Sequence, residues 1–471
     1  MKLQPFPLPI SYGQTDAVKN SGGYLINMEA EKAPDDAKTP VTLLGSPGLK
    51  LFCDTGIDPV LSKIEINNAD YAVTKTAVYR IFPDGGFYRF GTVALETLNS
   101  IATNGIHIVV TDGKRIFAYT IQADEQSRYD NQTPYVDFVT ELTNAPNYYP
   151  ASTVTFLDQM FVFGRDDTNQ FYNTGLLNLT VNSAAFTSAE SNPDNTVAVI
   201  ENQQQIIVVG RRTFEVFYNS GTGESPFVRV QGAVGDHGSI SPYTVKRLRN
   251  SVFWLDQNGT VVQLVGYQPR PISTHAIEEA IKIGDLATAF AFTYSDDGHD
   301  YYQLTVGELT FVFDLATGLW HQRQDYTYGR HRANCHSLAY SRNLVGSFVD
   351  GKIYEMSRDY YDNAGDPLVA VLVPTALDSA FQMVSHSSVE LDIDVGFATP
   401  ACPDPVIGME ISNDDGETWG VQRLVALGKV GQKARRVRWQ RNGQARQRRY
   451  RFTISDPVPR RLTSKMWLGT R

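Results

Sequence analysis

Residues 105–121 read GIHIVVTDGKRIFAYTI. Two strand-length runs rich in β-branched and aromatic residues flank Asp112-Gly113, a dipeptide suited to the positive backbone angles of a tight hairpin turn. Similar pairs begin at Ser152 (STVTFLDQMFVFG), Gln205 (QIIVVGRRTFEVFY), Ser251 (SVFWLDQNGTVVQLV), Tyr301 (YYQLTVGELTFVFD) and Asn343 (NLVGSFVDGKIYEM), at intervals of 42 to 53 residues. A recurrence near 40–50 residues is that of β-propeller blades, small sheets that cannot bury their faces alone. The spacing predicts an all-β, propeller-like array of about six blades over residues 61–365, with seven allowed. The units share spacing but no textual signature such as a Trp-Asp pair.

Composition agrees. The 471 residues include 37 Gly, 23 Pro, 24 Tyr and 24 Phe, which favours short strands joined by turns. With 42% hydrophobic and 20% charged residues the chain is neither disordered nor a small disulfide scaffold. Cys53, Cys335 and Cys402 are odd in number and far apart, so no disulfide framework or zinc pattern is read, and a reducing site of synthesis is expected. MKLQPFPLPI has no apolar core of signal-peptide length, and nowhere do about 18 apolar residues run together, so neither export nor a membrane span is expected.

Outside the repeats, residues 1–60 are punctuated by Pro and Gly and read as an extended arm packed across another element. Within it, the charged piece Glu29 to Lys38 reads as a solvated loop. The one clear helical stripe, Ala276, Ile277, Ala280 and Ile281, follows the capping candidates Ser273 and Thr274. After a break near 362–374 the alternation changes, with Val389, Leu391, Ile393 and Val395 on one face. Residues 366–471 are expected to form a smaller β-sandwich-like domain.

Charge is unevenly distributed. From Gly431 onward 13 Lys or Arg face one acid, so this tail carries +12 and the rest of the chain −21. Arg436 and Arg438 alternate with Val437 and Trp439, and Arg449 and Arg451 with Tyr450 and Phe452. The pattern predicts a hairpin over 435–451 turning at Asn442-Gly443, apolar on one face and basic on the other. These four arginines are candidates for a subunit or adaptor interface, where planar guanidinium groups bind carboxylates bidentately.

Other motifs carry less chemistry. Ser412, Asp414, Gly416, Thr418 and Trp419 fit the Asp-box pattern S-x-D-x-G-x-T-W, which physically describes a stabilised hairpin turn. His321, His331, Cys335 and His336, beside Trp320, form the only His/Cys cluster, but the intervening RQDYTYGR reads as a loop rather than converging ligand strands. No nucleophile elbow or phosphate loop occurs. Catalytic, cofactor and metal residues are therefore expected to be none.

Four stretches together resemble the packaged-DNA stabilisation proteins of short-tailed bacteriophages, also described as tail accessory or tail nozzle proteins. They are YLINMEAE with SPGLKLF in the arm; residues 224–281, with VFWL and ISTHAIE; DGHDYYQLTV with TFVFDLATGLWHQR; and 412–457, from SNDDGETW to RRYRFTISDP. The resemblance implies a virion tail protein made in the host bacterial cytoplasm. It implies a homo-oligomeric ring, a hexamer, below the portal and its adaptor. That ring would continue the DNA conduit, hold a needle or plug, meet a tail fibre or spike, and touch DNA transiently. Two other classes compete: a glycan-binding or sialidase-like propeller, motivated by the Asp-box, and a DNA-binding protein acting through the arginines, with steeply salt-dependent affinity.

Overall fold

In the computed structural model, which describes residues 3–17, 21–378 and 382–470, 52% of the chain is strand and 4% helix. The stretch at 105–121 forms the antiparallel strands His107–Thr111 and Ile116–Thr120. Its runs are continuously apolar because both faces are covered. Ile108, Val110, Phe117 and Tyr119 pack with Tyr71, Val73 and Phe90 on one side, while Val109, Ile116 and Ala118 turn to Val154, Phe161 and Phe163 on the other. Pleat alternation thus sends successive side chains into two different inter-blade cores.

Among the described residues there are seven blades. Six are built from consecutive strands, at 60–92, 100–141, 151–188, 196–236, 246–271 and 290–325. The seventh joins Ala333–Ala339, Arg342–Ser347 and Lys352–Ser357 to Gly48–Asp54, a strand of the arm. The first strand of each blade packs beside that of the next, and Ala333–Ala339 meets Val60–Ile66, closing the circle. Across that seam Asn334 Nδ2 donates to the Val60 carbonyl at 2.9 Å, and Ser337 Oγ to the Asp70 carboxylate at 2.7 Å. The blade at 60–92 is absent from the periodic series because charged residues interrupt its strands. Lys63 and Asp70 are nevertheless fully buried as an ion pair. Its turn, Asn67-Asn68, has φ of 51° and 63°.

The arm is woven into three sheets. Gly48–Asp54 completes the ring, and a Cβ at Gly48 would lie 2.4 Å from the Tyr360 carbonyl, so glycine is required at this close approach. Tyr24–Ile26 pairs in parallel with Leu319–Asp325 of the sixth blade and antiparallel with Ala370–Val373. Met28–Lys32 and Val41–Gly45 enter a different sheet. The expectation of a solvated loop from Glu29 to Lys38 is thus corrected: Met28–Lys32 is a strand and Glu29 is buried. The physical reason is compensation. Arg358 Nη2 lies 2.7 Å and Arg323 Nη2 3.8 Å from the Glu29 carboxylate.

Beyond the ring, two sheets face each other. One runs Met28–Lys32, Val41–Gly45, Arg461–Thr470, Val384–Ile393, Val437–Gln440, with Leu3–Pro7 also on Arg461–Thr470. The other runs Tyr24–Ile26, Ala370–Val373, Gln447–Ile454, Val406–Ser412, Arg423–Ala426. Val389, Leu391, Ile393 and Val395 are buried in the shared core with Trp439, Met409 and Phe452. Because Tyr24–Ile26 bridges it to the sixth blade, the second sheet is continuous with the propeller. The helix His275–Ile281 is capped by Thr274, whose hydroxyl accepts from the Ile277 N–H at 3.4 Å, and it buries Ala276, Ile277 and Ile281. No helix among the described residues is long and apolar enough to cross a membrane.

Candidate functional site

The arginine-rich segment alternates as expected but is not a hairpin. Val437–Gln440 pairs with Val384–Ile393, whereas Gln447–Ile454 pairs with Ala370–Val373 and Val406–Ser412 in the opposing sheet. A hairpin would set arginines of the two strands against one another, and like charges directly opposite are destabilising. In the observed registers Glu390 lies opposite Arg438, and Glu410 opposite Arg451.

The four candidates fall into different environments. Arg451 is half-buried and donates through Nε and Nη2 to both Glu410 oxygens, each at 2.7 Å, with its guanidinium 4.4 Å from the Trp419 ring centre. Arg436 has a 62% exposed side chain and makes the same fork to Glu390, each bond 2.6 Å. Arg438, opposite Glu390, finds both oxygens taken and makes no hydrogen bond or ion pair among the described residues. Arg449 is only 4% exposed, which removes it from any surface. Its Nε donates to the Pro374 carbonyl at 3.1 Å and Nη1 to that of Asp415 at 3.0 Å, while Nη2 reaches those of Ser21 and Gly22. Burial pushes its pKa down from the usual arginine value. Placing Arg449 at an interface is therefore corrected, because its donors already face carbonyls inside the fold.

The Asp-box forms the turn after Val406–Ser412. Asp414 accepts from Ser412 Oγ at 2.6 Å, from the Thr418 N–H at 2.9 Å and from the Thr418 hydroxyl, while the Gly416 N–H donates to Ser412 Oγ at 2.8 Å. Gly416 has φ of +101°. The Ser412 and Thr418 bonds hold the Asp414 carboxyl well below the usual carboxylate range. A group with a depressed folded-state pKa stabilises above its unfolded value, about 3.9, and the effect is lost as pH falls through the folded value. We expect Asp414→Asn to lower the melting temperature at pH 7, with the difference from the parent shrinking steadily below about pH 4. Differential scanning calorimetry across pH 2–7 checks this; a pH-independent difference would contradict it.

The His/Cys residues do not converge. His321 sits by Glu29, His331 by Gln303 and His336 by Asn343, and burial lowers the pKa of all three. The stretch expected as a loop is strand to Asp325 and turns at 326–328. Among the described residues no group of three or more His, Cys, Asp or Glu is placed to hold a metal ion. The buried joint of Glu29 with Arg323 and Arg358 escaped sequence reading, although Glu29 lies in YLINMEAE.

Comparison with known families matches residues 7–361 to the family described as "Bacteriophage P22 Gp10, beta-propeller" and residues 370–466 to "Bacteriophage P22 Gp10, beta-sandwich". The chain belongs to the P22 Gp10 family. It is a phage virion structural protein of the DNA-stabilisation class. No individual curated protein matches. Among solved structures, BamB from Moraxella catarrhalis is 9% identical with a TM-score of 0.39, covering 76% of this chain and 97% of its own. The Myceliophteria thermophila Cps50 (Swd1) β-propeller domain is 8% identical with a TM-score of 0.42, covering 66% and 99%.

In this Gp10-family chain one set of cations lies on the edge strand Val437–Gln440 of the sandwich and the segment that follows it. Arg438 is joined there by exposed Arg441 and Arg446 on the segment that crosses between the sheets, and neither makes a side-chain ion pair among the described residues. Arg436 stands beside them with its fork to Glu390 open to solvent.

Proposed function

We propose that copies of this chain assemble as a ring, a hexamer, below the portal and its adaptor protein. The ring continues the DNA conduit, holds a needle or plug that retains the genome, meets tail fibres or spikes, and supports genome ejection. The observation that carries this reading is the family match over both domains. The charge distribution supports it. A wall that bound many phosphates through Lys and Arg would grip DNA and slow its passage, whereas residues 1–430 carry −21. The reading is non-catalytic: a scaffold built in the host cytoplasm and carried in the virion tail.

Within this reading Arg436 and Arg438 form the electrostatic joint to a neighbouring subunit or adaptor, with Arg451 behind them as an internal strut and Arg449 excluded. Truncating one partner of a charge-assisted interfacial pair typically costs about 2–5 kcal/mol. The double change Arg436→Ala and Arg438→Ala is therefore expected to weaken attachment to particles bearing portal and adaptor at least about tenfold, leaving the melting transition of the free chain in place. Sedimentation of purified protein with such particles measures this. Unchanged attachment would remove the arginines from the joint. Tight, steeply salt-dependent binding of DNA by the free chain would favour the DNA-binding reading instead.

A further inference from the structure

Where the first, sixth and seventh blades meet, at the end of the ring that carries the turns between second and third strands, lies a recess of about 290 Å³. It shares Leu61, Leu98, Phe290 and Asn334 with the axial cavity and opens beside it. Its walls are mostly apolar, with Pro59 and Phe348 completing the surface begun by those leucines and Phe290. One guanidinium enters this surface. Arg330 lies 3.8 Å from the Phe348 ring centre and 4.8 Å from that of Phe290, so two aromatic rings fix its position.

What Arg330 lacks is an anion. Its one side-chain hydrogen bond among the described residues runs from Nη2 to Asn334 Oδ1, at 3.3 Å. Nε is enclosed by protein, but Nη1 is not enclosed and makes no hydrogen bond, which leaves a donor free on a side chain that lines the recess. Arg332, two residues on, shows the usual outcome: Nε donates to Asp325 and Nη2 to Asp366, each at 2.6 Å. The other charges on the recess do not serve Arg330. Glu96 is taken by Lys114, and Lys75 is an exposed cation with no ion pair among the described residues. Burial lowers the pKa of Arg330 to about 10, so it stays charged at neutral pH. A half-buried cation without a counter-charge is unfavourable, and an anion bound to it removes that penalty. The charges thus select an anion, and the walls select an apolar body.

We propose that this recess binds a small amphiphilic carboxylate, with its carboxylate on the Arg330 guanidinium, Lys75 at the rim, and its apolar body against Phe290, Phe348 and Leu98. A planar carboxylate matches the planar donors of a guanidinium, whereas a fully hydrated inorganic anion would leave the apolar walls uncovered. The volume lies at the lower end of small-molecule sites, about 300–1,000 Å³, and suits one ring or a short chain. The site is independent of ring assembly and of the sandwich arginines.

The probe is benzoate, titrated into the full chain at constant ionic strength and followed by saturation-transfer NMR and calorimetry. Benzyl alcohol keeps the ring without the charge, and acetate keeps the charge without the ring. Benzoate is expected to occupy one site with a dissociation constant at or below about 1 mM, and each control to bind at least about tenfold more weakly. Arg330→Met keeps an apolar side chain between the rings, so it should weaken benzoate at least about tenfold while leaving benzyl alcohol unchanged. Lys75→Glu, at an exposed position, should weaken benzoate about threefold without disturbing the fold. The proposal is overturned if benzoate shows no saturable binding up to about 10 mM, if benzyl alcohol binds as tightly, or if either variant, shown to be folded by thermal melting, binds benzoate as the parent does.

Discussion

A chain lacking residues 1–54 is expected to lose cooperative unfolding altogether. Those residues supply the fourth strand of the seventh blade and strands to both sandwich sheets. They also place Leu8, Leu25, Met28, Leu43, Leu49 and Cys53 in three separate cores. A fully buried side chain of this kind contributes about 1.5–3 kcal/mol, so the apolar loss alone rivals the roughly 5–15 kcal/mol by which a typical domain is stable. Single changes should separate a buried position of that strand from an exposed one. Leu49→Ala is expected to cost about 2–5 kcal/mol, because Leu49 is fully buried against Tyr294, Tyr301 and Met356. Leu51→Ala should cost under about 0.5 kcal/mol, because Leu51 is 48% exposed. Urea denaturation followed by tryptophan fluorescence reads all three. A truncated chain with a single steep transition near that of the parent would refute closure by the arm.

Arg449→Met should be the most damaging substitution among the four arginines, at about 3–5 kcal/mol. Its guanidinium gathers carbonyls from three segments distant in sequence: Ser21 and Gly22 in the arm, Pro374 after the interdomain strand, and Asp415 in the Asp-box turn. Methionine fills the volume but leaves four carbonyl oxygens without a donor, each costing about 1–3 kcal/mol where water cannot enter. Arg449→Lys should recover only part, since an ammonium presents a compact point charge instead of a planar fork of donors. Arg451→Met, at a partly exposed pair, should cost about 1 kcal/mol or less. Limited proteolysis supplies an independent readout: cleavage near Ser21 and Gly22 should accelerate in Arg449→Met and not in Arg451→Met. Equal losses from the two substitutions would show that burial of Arg449 is energetically idle.

Much of the architecture was legible residue by residue. The runs IHIVVT and RIFAYT declare strands buried on both faces, and the interval between such pairs declares blades. Val389, Leu391, Ile393 and Val395 declare one face of a sandwich strand, and Thr274 with Ala276, Ile277 and Ile281 declares the short helix. The strands at 60–92 were hidden because Lys63 and Asp70 look solvated until they are seen to neutralise each other. Glu29 was misplaced for the same reason, its partners lying some 300 residues away. The arginines were assigned their alternation correctly and their pairing wrongly.

By itself, then, the sequence determined the all-β class, the blade rhythm and the concentration of positive charge at one end. These are properties of the pleat and of composition, in which each residue's role depends on neighbours one or two positions away. Only the tertiary structure decided that the blades number seven, that Gly48–Asp54 closes the ring, and that Arg436 and Arg451 belong to opposing sheets. Strand pairing between distant segments depends on which edge is vacant and which charge lies opposite, while the entropic cost of closing a long loop grows only slowly with its length. The arm strand therefore completes a blade some 300 residues downstream, a choice that no local pattern encodes.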